Sequence, residues 1–170
     1  MFTGLVSFET DLGWMGVLAA RGNIQTTLIG HSRQQDIVER LGLPMQQVDP
    51  ADCKALVERF RRFCRGQRTS LATLKIDESW MTPFQKRVIQ ACRAIPWGDT
   101  VSYGQLAEIA GSPAASRAVG TVMAKNRFPL IVPCHRVCGS NGIGGFSAPQ
   151  GVDLKRRLLA NEGLKLATTI

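Results

Sequence analysis

The sequence predicts an α/β (α+β) protein: a small N-terminal sheet-plus-helix domain, then a mostly helical C-terminal domain with a helix-turn-helix. Three observations carry this. Short β-like runs with turn punctuation fill residues 1–30. Two capping-box signatures, Thr82 to Gln85 and Ser102 to Gln105, open helices in the second part. Hydrophobic residues make up 44% of 170, enough for a packed core and too many for a disordered chain.

Strands are expected over 4–9, 14–20 and 24–30, separated by Asp11-Leu12-Gly13 and Arg21-Gly22-Asn23. Ser32 is placed to cap a helix through Leu41, and Asp49-Pro50 to open another through Cys64. On the latter, Leu56, Val57, Phe60 and Phe63 lie at helical spacing. Arg59, Arg61, Arg62, Arg65 and Arg68 form a basic stripe near its end, read as a solvated face whose charge suits the helix dipole in preference to a DNA contact. A stretch of mixed character, 69–79, leads into the second part.

There, Thr82-Pro83-Phe84-Gln85 combines an N-cap, a proline at the first helical position and a capping-box glutamine. Phe84, Val88, Cys92 and Ile95 follow on one face, and Pro96-Trp97-Gly98-Asp99 breaks the helix. Ser102 opens the next, with Leu106, Ile109 and Ala110 as its apolar side and Gly111 as its stop. Ser112 and Pro113 are placed to start a third helix, running to about Lys125. Helix, short turn with Gly, helix is the spacing of a helix-turn-helix. A strand is expected over 128–133, a glycine-rich loop over 139–145, and a final helix from near Val152 to Asn161-Glu162-Gly163.

Composition narrows the function classes. No stretch approaches the roughly 18 apolar residues of a membrane span, and no basic-then-apolar leader opens the chain, which points to a cytoplasmic protein. The net charge of +8 favours a polyanionic partner. Five cysteines (Cys53, Cys64, Cys92, Cys134, Cys138) show no disulfide-like regularity, which fits a reducing compartment. With only His31 and His135 as further soft ligands, no metal is expected.

The run Ile131-Val132-Pro133-Cys134-His135-Arg136-Val137 carries the chemistry. Cysteine reacts as the thiolate, favoured by nearby cations, and His135 and Arg136 supply an electropositive setting. Neighbours in sequence do not face each other on a helix or a strand. A direct Cys134–His135 ion pair is therefore disfavoured, and a water could relay the proton. The competing reading is a buried structural cysteine beside an incidental basic pair.

Just upstream, Ala114, Ala115, Ser116, Ala118, Gly120, Thr121 and Ala124 are all small, with Arg117 the long side chain among them. A glycine inside a helix costs about 0.8–1 kcal/mol relative to alanine, so Gly120 suggests close contact. That contact is either packing within the protein or entry into a confined groove, and the minor groove is only about 6 Å wide. Asn126 suits a turn after the helix. Glu162 is badly placed for a helix C-terminus, so it is either a simple exposed glutamate or an acid kept to hold His135 in one tautomer.

Residues 82–163 resemble the O6-alkylguanine-DNA alkyltransferases. The matching pieces are Pro133-Cys134-His135-Arg136-Val137, Ser102-Tyr103, Ala115-Ser116-Arg117-Ala118-Val119-Gly120, Asn126 and Asn161-Glu162-Gly163. The resemblance implies domains over 1–75 (α/β, of ribonuclease-H-like type) and 76–170 (DNA binding and alkyl transfer). It also implies a monomer that needs no cofactor and acts once on double-stranded DNA containing O6-alkylguanine, with O4-alkylthymine a second candidate.

By the same resemblance Arg117 fills the gap left by a flipped guanine, and Ser102, Ala115, Ser116, Ala118, Gly120, Thr121 and Lys125 meet the DNA. Cys134 attacks the alkyl carbon and Tyr103 donates to the base. His135 takes the thiol proton through water, Glu162 orients His135, and Asn126 braces the turn. Tyr103, Met123, Val137, Phe146 and Ser147 form the base pocket, with the Cys134 and Val137 carbonyls reading the exocyclic amine. Phe146 stands where some members carry Tyr, so a hydroxyl contact is lost there. Competing readings are a lesion-recognition protein without repair, which would lack the nucleophilic cysteine, a multi-turnover cysteine hydrolase, and a helix-turn-helix regulator.

Overall fold

The computed structural model describes residues 2–42 and 46–164. Positions 1, 43–45 and 165–170, which fall within the expected domain ranges, lie outside the described residues. Strands β1 (Gly4–Thr10), β2 (Gly13–Ala20) and β3 (Asn23–His31) form an antiparallel meander. The short β4 (Gln47–Val48) adds in parallel to β1, giving the order β3-β2-β1-β4. Three strands are expected in this region, and all three are present.

Helix α1 spans Gln34–Leu41 and α2 spans Lys54–Cys64. Arg33 rather than Ser32 is the N-cap of α1, because β3 runs on through His31 and Asp36 reaches back to the Arg33 amide at 3.0 Å. A 3-10 turn at Pro50–Cys53, with Asp49 accepting from the Ala51 amide, leads into α2. Val57, Phe60 and Phe63 are buried beneath the sheet's inner face, where Phe8 meets Phe60. The arginine stripe is held locally: Arg59 donates to Thr73, Arg61 to the Glu9 carbonyl, Arg62 to Gln67, and Arg65 pairs with Glu58.

The second part holds α3 (Pro83–Arg93), α4 (Tyr103–Ile109), α5 (Ser116–Ala124) and α6 (Gly151–Asn161). Both expected capping boxes are formed, at Thr82/Gln85 and Ser102/Gln105. Two short strands, β5 (Val101–Ser102) and β6 (Val137–Cys138), pair in parallel and tie the start of α4 to the segment after Cys134.

Three expectations need correction. Helix α5 begins at Ser116, not Ser112. The Ser112 amide donates to the Ala107 carbonyl and the Gly111 amide to Glu108, a Schellman close of α4, and the Ala115 amide donates to the Ser112 carbonyl in a separate turn before α5 begins. Ile109 is 59% exposed, since α4 buries Leu106, Ala107 and Ala110 and turns Ile109 about 100° away. Residues 128–133 form no strand. The Val132 amide returns to the Phe128 carbonyl, and Leu130 sits at φ 72°, a region non-glycine residues seldom adopt.

The sheet holds this irregular segment in place. The Thr27 amide and Thr26 Oγ1 both donate to the Arg127 carbonyl, at 2.9 and 2.8 Å, and Thr27 Oγ1 donates to the Pro129 carbonyl at 2.9 Å. Helix α6 docks on the same strand: a Cβ at Gly30 would lie 2.6 Å from Leu154 Cδ2, and the φ of 72° there favours glycine. Gln150 donates to the Leu12 and Gly30 carbonyls, and Asn161 to the Cys64 carbonyl.

Candidate active site

Cys134 opens a 3-10 turn, Cys134–Arg136. Pro133, with φ −78° and ψ 64°, makes an inverse γ-turn in which the Cys134 amide donates to the Val132 carbonyl at 2.8 Å. Asn126 fixes the thiol: its Nδ2 donates to the Val132 carbonyl at 3.0 Å and to Cys134 Sγ at 3.2 Å. Its Oδ1 accepts from the Phe128 amide at 2.9 Å. One amide side chain thus spans both ends of the turn. Cys134 is half-buried, whereas Cys53, Cys64 and Cys92 are buried.

Behind the thiol lies a closed polar cluster. His135 is fully buried, and its Nε2 meets Glu162 Oε1 at 2.7 Å. Arg136 grips the same carboxylate through Nε, at 2.9 Å to Oε2, and through Nη2, at 3.0 Å to Oε1. Its Nη1 donates to the Ile95 carbonyl, and the Gly98 amide completes the set at 3.1 Å to Oε2. Burial pushes the Glu162 carboxyl up, but the hydrogen bonds from His135 and Arg136 outweigh it and hold the group below the usual carboxylate range. Burial holds the His135 imidazole below its usual range despite Glu162. An ionised carboxylate only accepts, so Nε2 carries the proton and Nδ1 keeps its lone pair. Nδ1 has no protein partner among the described residues. Phe63 of α2 packs edge-on to the ring, at 6.0 Å between centroids.

One expectation about charge is overturned. Neither the His135 nor the Arg136 side chain lowers the Cys134 pKa, because both turn away to Glu162, and His135 acts on the thiol only through a backbone hydrogen bond. Burial pushes the thiol above its ordinary value, opposed first by the Asn126 hydrogen bond and then by Lys155. The sequence reading missed Lys155, a fully buried ammonium on α6. A signal was present, since Leu154, Lys155, Leu158 and Leu159 lie on one helical face.

Tyr103 is the first residue of α4 and stands half-buried between α5 and the glycine loop. A Cβ at Gly144 would lie 3.6 Å from its hydroxyl, and one at Gly120 would lie 3.9 Å from its ring. The latter is ordinary contact, so packing within the protein does not require glycine at 120. Burial, then the Cys134 and Cys138 thiols, raises the Tyr103 pKa, keeping the hydroxyl a donor. Arg117, Ala118, Thr121 and Lys125 are exposed on α5 or its C-cap, while Ala115, Ser116 and Gly120 are partly covered. Ser102 is the N-cap of α4.

Of the expected pocket residues, Phe146 is half-buried, and the exposed Ser147 donates to the Ala124 carbonyl at 3.1 Å, tying the loop to the end of α5. Met123 and Val137 are buried as part of the hydrophobic core. Among the described residues no three His, Cys, Asp or Glu side chains are grouped to hold a metal ion, and no helix is long and apolar enough to cross a membrane.

Residues 83–164 match the family model for the 6-O-methylguanine DNA methyltransferase, DNA binding domain. A methylated-DNA–protein-cysteine methyltransferase of Metallosphaera sedula is 38% identical over 116 residues, 68% of this chain and 71% of that protein. The chain belongs to the methylated-DNA–protein-cysteine methyltransferase family. Another member, from Salmonella typhimurium, is 50% identical over 86 residues, 50% of this chain and 49% of its own length. The crystal structure of Mycobacterium tuberculosis OGT in complex with DNA shares the fold, with a TM-score of 0.74 at 26% identity over 93% of this chain and 91% of that one. In this methyltransferase-family chain, the segment matched by the DNA-binding model begins at the first residue of α3 and contains Cys134, His135 and Glu162. Phe63 and Thr27, which support them, lie outside it.

Proposed function

We propose that this protein reverses DNA alkylation by moving the alkyl group of O6-alkylguanine in duplex DNA onto Cys134, once and irreversibly. The observation that carries this reading is a half-buried thiol held by Asn126 beside a neutral, Glu162-anchored imidazole. His135 Nδ1 accepts the thiol proton through a bridging water, and Sγ attacks the alkyl carbon. The S–C bond forms, the C–O6 bond breaks, and the electron pair stays on the guanine, where the Tyr103 hydroxyl shares its proton with the base. The thioether has no activated bond for water to cleave, so the cysteine is not regenerated.

Chemistry on a base requires taking it out of the stack. Helices α4 and α5 enter the minor groove with the small residues Ala115, Ser116, Ala118, Gly120 and Thr121 facing DNA, supported by Ser102 and Lys125. Arg117 fills the gap in the duplex. The flipped base lies beside Tyr103, Phe146 and Ser147, with the Cys134 and Val137 carbonyls facing its exocyclic amine. In this reading the chain divides near residue 76 into a supporting N-terminal domain and a DNA-binding, alkyl-accepting domain.

The test is intact mass before and after exposure to duplex carrying labelled O6-methylguanine, with peptide mapping of the label. One methyl per molecule on Cys134 is expected; repeated turnover would sink the reading. Arg117→Ala is expected to slow repair of duplex by about 10–100-fold, because extrusion of a base costs a few kcal/mol. Its reaction with free alkylguanine base should be almost unchanged. Equal losses on both substrates would remove Arg117 from the flipping step.

A further inference from the structure

Lys155 is 0% exposed and lies on the face of α6 that also buries Leu154, Leu158 and Leu159. Its Nζ donates to the Val137 carbonyl at 2.6 Å and to the Gly145 carbonyl at 3.4 Å. The first contact is as short as charge-assisted hydrogen bonds become. These two carbonyls flank the glycine-rich loop, so one side chain ties β6 to the far end of that loop.

Among the described residues no carboxylate pairs with this cation. On α6 itself, Asp153 pairs with Arg156, and Glu162, just past its end, is bound to His135 and Arg136. A buried charge without a partner is costly, and the groups placed to compensate this one are thiols. Burial lowers the Lys155 pKa, and the Cys138 and then the Cys134 thiols act to raise it. The effect is reciprocal, since Lys155 acts to lower the pKa of Cys134.

We propose that Lys155 is a positioning residue whose buried ammonium serves as the counter-charge of the Cys134 thiolate while pinning the carbonyls of Val137 and Gly145. The proposal rests on the reading of Cys134 as the alkyl acceptor and adds what makes that thiol reactive. Lys155 occupies one lone pair of the Val137 carbonyl and leaves the other for the amine of a flipped base. Transfer converts the thiolate to a neutral thioether, so the reaction removes the partner of the ammonium.

The other titratable groups near this pair are Tyr103 from α4, Cys92 from α3 and Cys138 from β6, each electrostatically coupled to Cys134 or to Lys155. His135 is held neutral, with its Nε2 against Glu162. Lys155 is the cation acting on the thiol.

The test uses the full chain with Cys138→Ala in every sample, so that Cys134 is the thiol not buried in the core. Alkylation of Cys134 by iodoacetamide, which needs no DNA, is timed across the pH range in which thiols titrate. Methyl transfer from an O6-methylguanine duplex is timed in parallel. Lys155→Met is expected to move the rising limb of both profiles to higher pH by about one unit, so that rates fall about tenfold below the midpoint and converge on the alkaline plateau. Equal slowing at every pH would make Lys155 a structural staple and overturn the proposal. A shifted iodoacetamide profile in a protein that takes no methyl from the duplex would keep the coupling and overturn the reading of function. A second measurement covers a variant that does not fold: the Lys155 ε-carbon is titrated by NMR in otherwise native protein and in Cys134→Ala. A lower midpoint in Cys134→Ala is expected, and an unchanged one overturns the proposal.

Discussion

Replacing Cys134 by serine is expected to abolish alkyl transfer while leaving the fold and DNA binding intact. The substitution exchanges one atom at a half-buried position, and Asn126 Nδ2 can donate to a hydroxyl as readily as to a thiol. The thermal midpoint should therefore match the parent. What disappears is the nucleophile. Sulfur ionises with an ordinary pKa of about 8.5, whereas a serine hydroxyl stays protonated and is hard where the alkyl carbon wants a soft donor. His135 Nδ1 does not rescue it, because an imidazole held neutral by burial is too weak a base to generate an alkoxide. Labelled duplex gives the transfer, and a gel-shift titration gives the binding. Label appearing on the serine variant would point to another acceptor, and Cys138, the other half-buried thiol, is where to look first.

Removing the Glu162 carboxylate is expected to be the most destabilising single change at the site. The carboxylate takes contacts from His135, Arg136 and the Gly98 amide, and the Glu162, His135 and Arg136 side chains are nearly inaccessible. Stripping one partner from a buried ionic cluster costs about 3–5 kcal/mol, and Glu162→Ala leaves the Arg136 guanidinium without an anion. Glu162→Gln should lose less, since it keeps one acceptor oxygen. Urea midpoints of the three proteins check the order. An alanine variant as stable as the parent would show that the cluster contributes specificity rather than stability.

The same cluster sets a pH dependence. His135 and Glu162 both have folded pKa values below their unfolded ones. The unfolded chain then binds the extra proton first as pH falls, and stability falls with it. The His135 share begins to be lost below about pH 6.5 and the Glu162 share below about pH 4.3. Urea midpoints should decline from neutral pH downward, in the His135 window first. A midpoint that rises between neutral pH and about pH 5 would mean that His135 gains, rather than resists, a proton in the folded state.

Much of this site is legible in the sequence because its signals are local. Thr82 with Gln85 and Ser102 with Gln105 announce their helices within four residues each. Asn161-Glu162-Gly163 falls where a helix should end, and Glu162 meets His135 as its awkward placement suggests. What stayed hidden depends on groups far apart in the chain. The influence of His135 and Arg136 on Cys134 cannot be judged until Glu162 is seen to draw both away. Lys155 reads like the solvated Arg156 and Arg157 beside it until α6 docks against the loop. The left-handed Leu130 follows a Pro129 carbonyl held by Thr27 from another part of the chain, which no local pattern reports.

The hydrogen bonds from β3 to Arg127 and Pro129 also bear on how the nucleophile comes into being. Thr27 and Pro129 are 102 positions apart, and closing so long a loop costs entropy that shorter contacts avoid. Non-local contacts of this kind slow folding. The irregular turn that presents Cys134 is completed by contacts with the N-terminal meander. In a chain synthesised from its N-terminus, the strands that hold this turn emerge from the ribosome before the reactive thiol does.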